Sequence, residues 1–233
     1  MNRSEGRSND KSDEVLQKLP LTITSVDPQK KNPDRFSLFH KKEFLIGVSG
    51  KTLLEYSIKK GVEMTPSLFQ QISNAEEYQK VKDACYRYLS RRDHSSFELR
   101  QKISKKGYSP SVIKDVLFEL DQKGLLNNKE FALKFAADKI EFKSWGPNKI
   151  IHALRRKGID KSLSEKVVQN VVKDLEQHQI CVDLIVKRKR HFLREQDEFK
   201  RKQKIYRYLA GKGYTTAVIK KAYPQIIAKL NAE

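Results

Sequence analysis

From Asn74 onward, apolar residues recur every three or four positions, the period of helices that bury one face. Start signals cut this pattern into segments. Asn74 with Glu77, Ser95 with Glu98, and Asn127 with Glu130 have capping-box spacing, in which a short polar side chain and a following glutamate satisfy the first free backbone N–H groups. Pro110 and Pro147 stand where a first helical residue would be, a position at which the missing N–H costs nothing. The predicted helices lie near residues 75–90, 96–106, 110–123, 128–143, 147–157, 161–175, 180–195, 198–211 and 216–230. Ahead of them the texture differs. The runs LTITSV, RFSLF and EFLIGVS are short and rich in β-branched and aromatic residues. Asp27-Pro28, Asn32-Pro33-Asp34 and His40-Lys41-Lys42 separate them, so residues 20–50 read as a small antiparallel unit. The segment KTLLEYSIKK then predicts a short helix stopped by Gly61, and residues 1–19 read as a disordered polar tail.

A repeat organises the helical part. Lys-Gly followed by an apolar residue occurs at Lys106-Gly107-Tyr108, Lys157-Gly158-Ile159 and Lys212-Gly213-Tyr214, with glycine spacings of 51 and 55 residues. Four and eight residues before each glycine stand Ile103 and Leu99, Leu154 and Ile150, Leu209 and Ile205. Five and nine residues after stand Val112 and Val116, Leu163 and Val167, Val218 and Ala222. Each glycine is predicted to end a helix in left-handed geometry, and the flanking apolar positions are the core stripes of the two helices meeting there. The expected fold is mainly α: three tandem three-helix modules at 75–124, 125–175 and 176–233 forming an elongated, curved body, after a β unit with a short helix at 20–65.

Charge sharpens the picture. Among 233 residues, 48 Lys and Arg oppose 29 Asp and Glu, a formal charge of +19. Residues 1–75 carry only +3 of it, so the helical part carries +16. Such an excess repels itself unless a polyanion offsets it, which points to nucleic acid or an acidic protein surface and to a monomer. The basic residues gather beside the glycine turns (Lys102, Lys105 and Lys106; Arg155, Arg156 and Lys157) and in the dense run Lys187-Arg188-Lys189-Arg190. One such cluster is accounted for by the helix macrodipole, which favours cations at a C-terminus; its recurrence in successive modules is not. No apolar stretch is long enough to span a membrane and no apolar leader follows Met1, so a cytoplasmic protein is expected.

Catalytic chemistry is hard to find. The five histidines are scattered and none forms an HExxH pair. Cys85 and Cys181 are far apart at apolar helical positions, against a disulfide scaffold or a cysteine metal site. Gly47-Val-Ser-Gly50-Lys51-Thr52 has two residues between its glycines where a phosphate loop needs four, and it reads as a strand-to-helix turn. Trp145 is expected to pack across the turn of its own module. An enzyme, a cofactor and a metal centre are not expected.

Arg92-Asp-His-Ser95-Ser-Phe-Glu98-Leu99, with Ile103 and Lys106-Gly107-Tyr108, resembles the RxxSxxEL…KG(Y/F) signature of the RecX regulatory proteins. Gly124-Leu-Leu-Asn127-Asn128-Lys-Glu-Phe131-Ala132 is similar to that family's G(Y/L)LDDxxFA, with two asparagines in place of two aspartates. Gly146-Pro147 through Leu154-Arg-Arg-Lys-Gly158-Ile159 is similar to its KGPxxLxxELxxKGI. The resemblance covers roughly residues 76–172 in register, and the β unit resembles the N-terminal region of some members. It implies a cytoplasmic regulator, without enzyme activity, that binds the RecA–single-stranded DNA filament and lowers its ATPase, growth and strand exchange in recombination and DNA repair. Candidate contacts to RecA, or to single- or double-stranded DNA, are Arg91, Arg92, Lys102, Lys105, Lys106, Arg155, Arg156, Lys157, Lys187, Arg188, Lys189 and Arg190. The alternative is a general nucleic-acid-binding protein whose modules act as helix-turn-helix readers without RecA.

Overall fold

The computed structural model describes residues 13–173 and 175–232. These fall into two compact units. Residues up to Arg92 together with Leu99–Leu125 form the first, and Asp93–Glu98 together with Leu126 onward form the second.

In the first unit, residues 13–18 form a helical segment (α1) whose Val15 is buried against the β unit. The tail expected over 1–19 therefore yields its last residues to the fold; the rest of that expectation, residues 1–12, lies outside the described residues. Strands β2 (Ser25–Gln29), β3 (Asn32–His40) and β4 (Glu43–Ser49) make an antiparallel meander, and β1 (Leu21–Thr22) pairs with β5 (Glu63–Met64). Leu38 opposes Val26 on one side and Ile46 on the other. Two expected turns lie inside strands. Asp27-Pro28 is in β2, an edge strand that tolerates the missing N–H, and Pro33 and Asp34 are skipped where the β2–β3 register shifts. The third sits as expected, with Lys41 and Lys42 both at positive φ in the tight β3–β4 turn.

Ser49 caps helix α2 (Gly50–Glu55), so the Ser-Gly-Lys segment is a strand-to-helix turn as predicted. That helix ends before Gly61, because Ser57 takes left-handed geometry and Ile58 folds back, its N–H donating to Leu53 O at 2.8 Å. Helix α3 (Pro66–Leu89) starts nine residues earlier than predicted: Thr65 caps it and Pro66 is its first residue, leaving Asn74 in mid-helix. Its first half buries Phe69 and Ile72 in the β unit's core, and its second half buries Val81, Ala84 and Cys85. Helices α4 (Ser96–Ser104) and α5 (Pro110–Gln122) complete the first three-helix set.

The second unit holds α6 (Asn128–Lys143), α7 (Pro147–Arg156) and α8 (Lys161–Val172), then α9 (Gln177–Val186), α10 (Lys189–Leu193), α11 (Glu198–Lys212) and α12 (Thr216–Asn231). The helix predicted over 180–195 is broken at Arg188, a break that turns Phe192 into the core edge-on to Tyr208. Asn127 caps α6 through the N–H groups of Lys129 and Glu130, and Pro110 and Pro147 open α5 and α7. Gly107, Gly158 and Gly213 all have positive φ, between 77° and 98°. Of the twelve stripe positions flanking them, all but Leu163 and Val218 are buried. The longer second glycine spacing is one additional turn in α11. Mainly helical architecture with three three-helix sets after a small antiparallel sheet is the fold the sequence predicts.

Candidate functional site

The second and third lysine–glycine turns are junctions. At the second turn, Gly158 N donates to Arg155 O at 3.0 Å and Ile159 N to Leu154 O at 3.1 Å; the third repeats this with Gly213 to Ala210 at 2.9 Å and Tyr214 to Leu209 at 3.2 Å. Each of these turns sits on the N-terminus of the second helix of the preceding module. Ser95 Oγ accepts from Glu98 N at 3.1 Å, capping α4, and donates to Lys157 O at 2.6 Å. Lys157 Nζ lies 2.5 Å from Glu98 Oε1, and a Cβ on Gly158 would fall 2.2 Å from Phe97 Cβ. At the next junction Gly146 N donates to Lys212 O at 2.8 Å, Asn148 N to Gly213 O at 3.1 Å and Lys149 Nζ to Gly211 O at 3.0 Å. Two glycines, Gly146 and Gly213, let the backbones meet there; a Cβ on Gly146 would lie 2.5 Å from the Gly213 carbonyl carbon. The caps Ser95, Gly146 and Asp197 recur at intervals of 51 residues, so they are equivalent positions.

This geometry divides the candidate residues. Lys157 is drawn into the junction: a quarter exposed, paired with Glu98 and held over the rings of Phe131 and Phe135 at 5.8 and 5.2 Å. Arg155 and Arg156 project from the last turn of α7 and are exposed. In the first unit Lys102 and Lys106 gather over the Tyr88 ring at 4.7 and 6.0 Å, with Lys105 exposed beside them and Arg91 and Arg92 exposed after α3. In the third module Lys187, Arg188 and Arg190 are exposed, while Lys189 bonds Ala232 O near the end of α12.

Arg188 and Lys212 both cover the half-buried ring of Tyr208, at 5.0 and 5.9 Å, and Lys202 covers Tyr206 and Tyr223 at 6.0 and 5.2 Å. These basic–aromatic pairs are not among the contacts expected from the sequence. The legible signal is Lys202 four residues before Tyr206 and Lys212 four after Tyr208, each pair sharing its own helix face. Trp145 packs against its own module's core, as expected, between Lys139 and Lys149.

Reactive groups are muted. Burial pushes the Cys85 thiol up to about 11 and the Cys181 thiol up to about 12, leaving both protonated and inert at neutral pH. Among the described residues no three His, Cys, Asp or Glu converge as metal ligands, and no helix is long and apolar enough to cross a membrane.

Four family profiles match successive parts of the chain. The N-terminal domain of the regulatory protein RecX matches residues 21–65, and the first, second and third RecX three-helix domains match 82–120, 127–168 and 175–223. The chain belongs to the RecX family. Similar relatives are the regulatory protein RecX of Clostridium beijerinckii, 28% identical over 208 residues covering 88% of this chain and 96% of that one, and that of Bacillus subtilis, 28% identical over 209 residues covering 88% and 76%. A crystal structure of regulatory protein RecX superposes with a TM-score of 0.70 at 20% identity, covering 87% of this chain and 98% of that one. RecX from Lactobacillus salivarius gives 0.59 at 21%, covering 66% and 99%. The relatives are named regulatory proteins, and the matching profiles are those of a regulatory protein.

Proposed function

We propose that this RecX-family chain binds a RecA–single-stranded DNA filament and lowers its ATPase and growth, with the basic residues at successive module turns as the contact. The reading rests on the exposed pair Arg155 and Arg156, equivalent in the repeat to Ser104 and Lys105 beside the Lys102–Lys106 cluster. Many modest contacts along a repeating partner add through effective concentration. The family's naming as regulatory supports it, as does a charge of +19. The Tyr208 cluster with Arg188 and Lys212 favours an added DNA contact, since a partly exposed ring offers a face to a base while the cations around it neutralise phosphate.

The test is Arg155→Glu with Arg156→Glu, both on an exposed helix end where such changes usually alter stability by under about 0.5 kcal/mol. The variant is expected to lose inhibition of RecA ATPase strongly. If DNA phosphate is the chief contact, the salt slope of binding to bare single strands falls by roughly 0.7 per lost contact. If RecA protein is, binding to bare strands is nearly unchanged while inhibition disappears. A folded double variant that inhibits like wild type refutes the reading. Inhibition that appears only once the protein coats the DNA would instead favour a nucleic-acid binder acting without RecA.

A further inference from the structure

The two junctions of the second unit differ in charge. At the first, Lys157 meets Glu98, and elsewhere in this unit Lys134, Lys161 and Lys204 also pair with carboxylates. The junction between the second and third modules holds Lys139, Lys149, Lys212 and Arg188, and among the described residues none of these four forms an ion pair. They lie on ring faces and carbonyls instead. Lys139 and Lys149 stand 5.9 and 4.9 Å from the centre of the Trp145 ring, and Arg188 and Lys212 stand 5.0 and 5.9 Å from that of Tyr208. Two of the lysines cross the joint in opposite directions. Lys149 Nζ donates to Gly211 O, beside Lys212, and Lys212 Nζ donates to Lys143 O, two residues before Trp145, each at 3.0 Å. One ring from each module is therefore linked to the other through a short strip of cations and backbone. Carbonyls at the ends of α6 and α11 account for one N–H of each ammonium. An ammonium has three, so Lys149 and Lys212 keep donors to spare. Trp145, Tyr208 and the three lysines are half-buried and Arg188 is exposed, so the strip reaches solvent.

We infer that this strip, across the junction of the second and third modules, seats a stretch of single-stranded nucleic acid, its phosphates on the four cations and its bases against Trp145 and Tyr208. The pairing of chemistries selects the occupant. Four cations without a counter-charge repel one another until an anion comes between them. An acidic peptide would supply that anion and leave the rings unused. A duplex supplies phosphates but hides its base faces in its own stack. Only an unpaired strand offers phosphates and flat bases together. A strand laid here touches both modules, so it ties them in addition to the two crossing lysines. No strong sequence preference is expected, because phosphate contacts carry no sequence information and stacking accepts any base. The inference rests on the DNA contact proposed above at Tyr208 and extends it across the joint to Trp145; it does not depend on what Arg155 and Arg156 meet.

Trp145 is the sole tryptophan, so its emission reports on the strip directly. The full chain, without RecA, is titrated with an oligothymidylate of about 12 nucleotides, within the site sizes of single-strand binders. Emission is expected to be quenched as binding saturates, and far less by a hairpin duplex or by polyglutamate. Lys139→Gln with Arg188→Gln removes two cations that cover rings and make no bond to the joint's backbone. The salt slope of oligothymidylate binding is expected to fall by roughly 1.4, two contacts at about 0.7 each. Tyr208→Leu keeps an apolar side chain beside Phe192 and removes the stacking face, and affinity is expected to fall roughly tenfold. Oligothymidylate that binds without changing Trp145 emission overturns the inference, as does oligothymidylate that does not bind. So does equal quenching by the duplex or by polyglutamate, or folded variants that bind with the wild-type slope and affinity. If a variant fails to fold by circular dichroism, the wild-type quenching pattern decides alone. No arm reads RecA ATPase, so failure here leaves the Arg155–Arg156 contact standing, and failure of that contact leaves the quenching in place.

Discussion

Each of the two compact units is built with a different joining chemistry of its own. In the second, glycine turns sit on helix N-termini, where the carbonyls of Lys157, Lys212 and Gly213 accept from Ser95 Oγ, Gly146 N and Asn148 N. In the first, a Cβ on Gly107 would meet nothing within 4 Å, and carboxylates make the joints. Glu76, on α3, is 3% exposed and accepts from Ser49 N and Thr52 Oγ1 at 2.7 Å while Arg35 of β3 lies 2.9 Å away, so it bolts the sheet to the helix. Glu77 takes the Ser109 N–H at 2.6 Å, and Glu119 on α5 receives Lys123, Lys82 and Tyr78. A joint made of backbone depends on the absence of a side chain; a joint made of carboxylates depends on their charge. The two units therefore fail under different insults.

The largest contrast is expected between equivalent glycines. Gly158→Val places a β-branched residue in left-handed geometry and drives its Cβ into Phe97, a combined loss of about 4 kcal/mol. Gly107→Val incurs the strain alone, about 1–2 kcal/mol, because nothing stands within 4 Å. Urea unfolding of both variants reads the difference, and equal losses would show that the seat against residues 95–98 adds no stability. Next in size is Glu76→Ala, which leaves Arg35, Ser49 N–H and Thr52 without their acceptor. On the order of 3 kcal/mol is expected from calorimetry, below a wholly buried pair since Arg35 is a quarter exposed.

The smallest effect is the most selective. Burial alone would raise the Glu76 carboxyl, but the Thr52 hydroxyl, Ser49 N–H and Arg35 outweigh it and hold it below the ordinary range. Hydrogen bonds from Lys123, Lys82 and Tyr78 hold Glu119 down to about 2. Carboxylates depressed in the folded state stabilise it fully above their unfolded value, about 4.3, and lose that contribution as pH falls toward the folded value. The second unit's lowered carboxylates, Asp160 at a helix cap and Glu195 beside Lys204, are not buried as Glu76 is, so acid should loosen the first unit first. Amide exchange at pH 3 is expected to speed up in α3 and α5 while fluorescence of the sole tryptophan, Trp145 in the second unit, stays native. Simultaneous loss of both signals would erase the distinction.

What could be read from the residues follows the same divide. The glycine turns, their flanking stripes and the caps at Asn127, Pro110 and Pro147 are local signals, and local signals survive into the fold. Lys157 shows where local reading stops: a lysine ending a helix looks solvent-facing, and only the docking of module on module reveals Glu98 beneath it. Helix α3 begins at Thr65-Pro66, a capping residue and a first-turn proline, whereas the capping-box spacing of Asn74 and Glu77 predicts a start nine residues later. The break at Arg188 has no proline or glycine to announce it, because burial of Phe192 causes it. The Asp-Pro and Asn-Pro pairs mislead for a tertiary reason, since an edge strand and a register shift absorb both prolines.

The additional turn in α11 bears on how such a repeat can change length. Sixteen residues separate Asp197 from Gly213, against twelve from Gly146 to Gly158. Four extra residues at about 100° each rotate the helix through one revolution and about 40° more, so Ile205 and Leu209 still face inward, and they lengthen it by about 6 Å. One extra residue would swing the same stripe by about 100° and expose it. The helix is thus a ruler with coarse graduations: it can carry the glycine turn farther from its cap by whole turns only, and lineages or designs that resize a module should do so in steps of three or four residues.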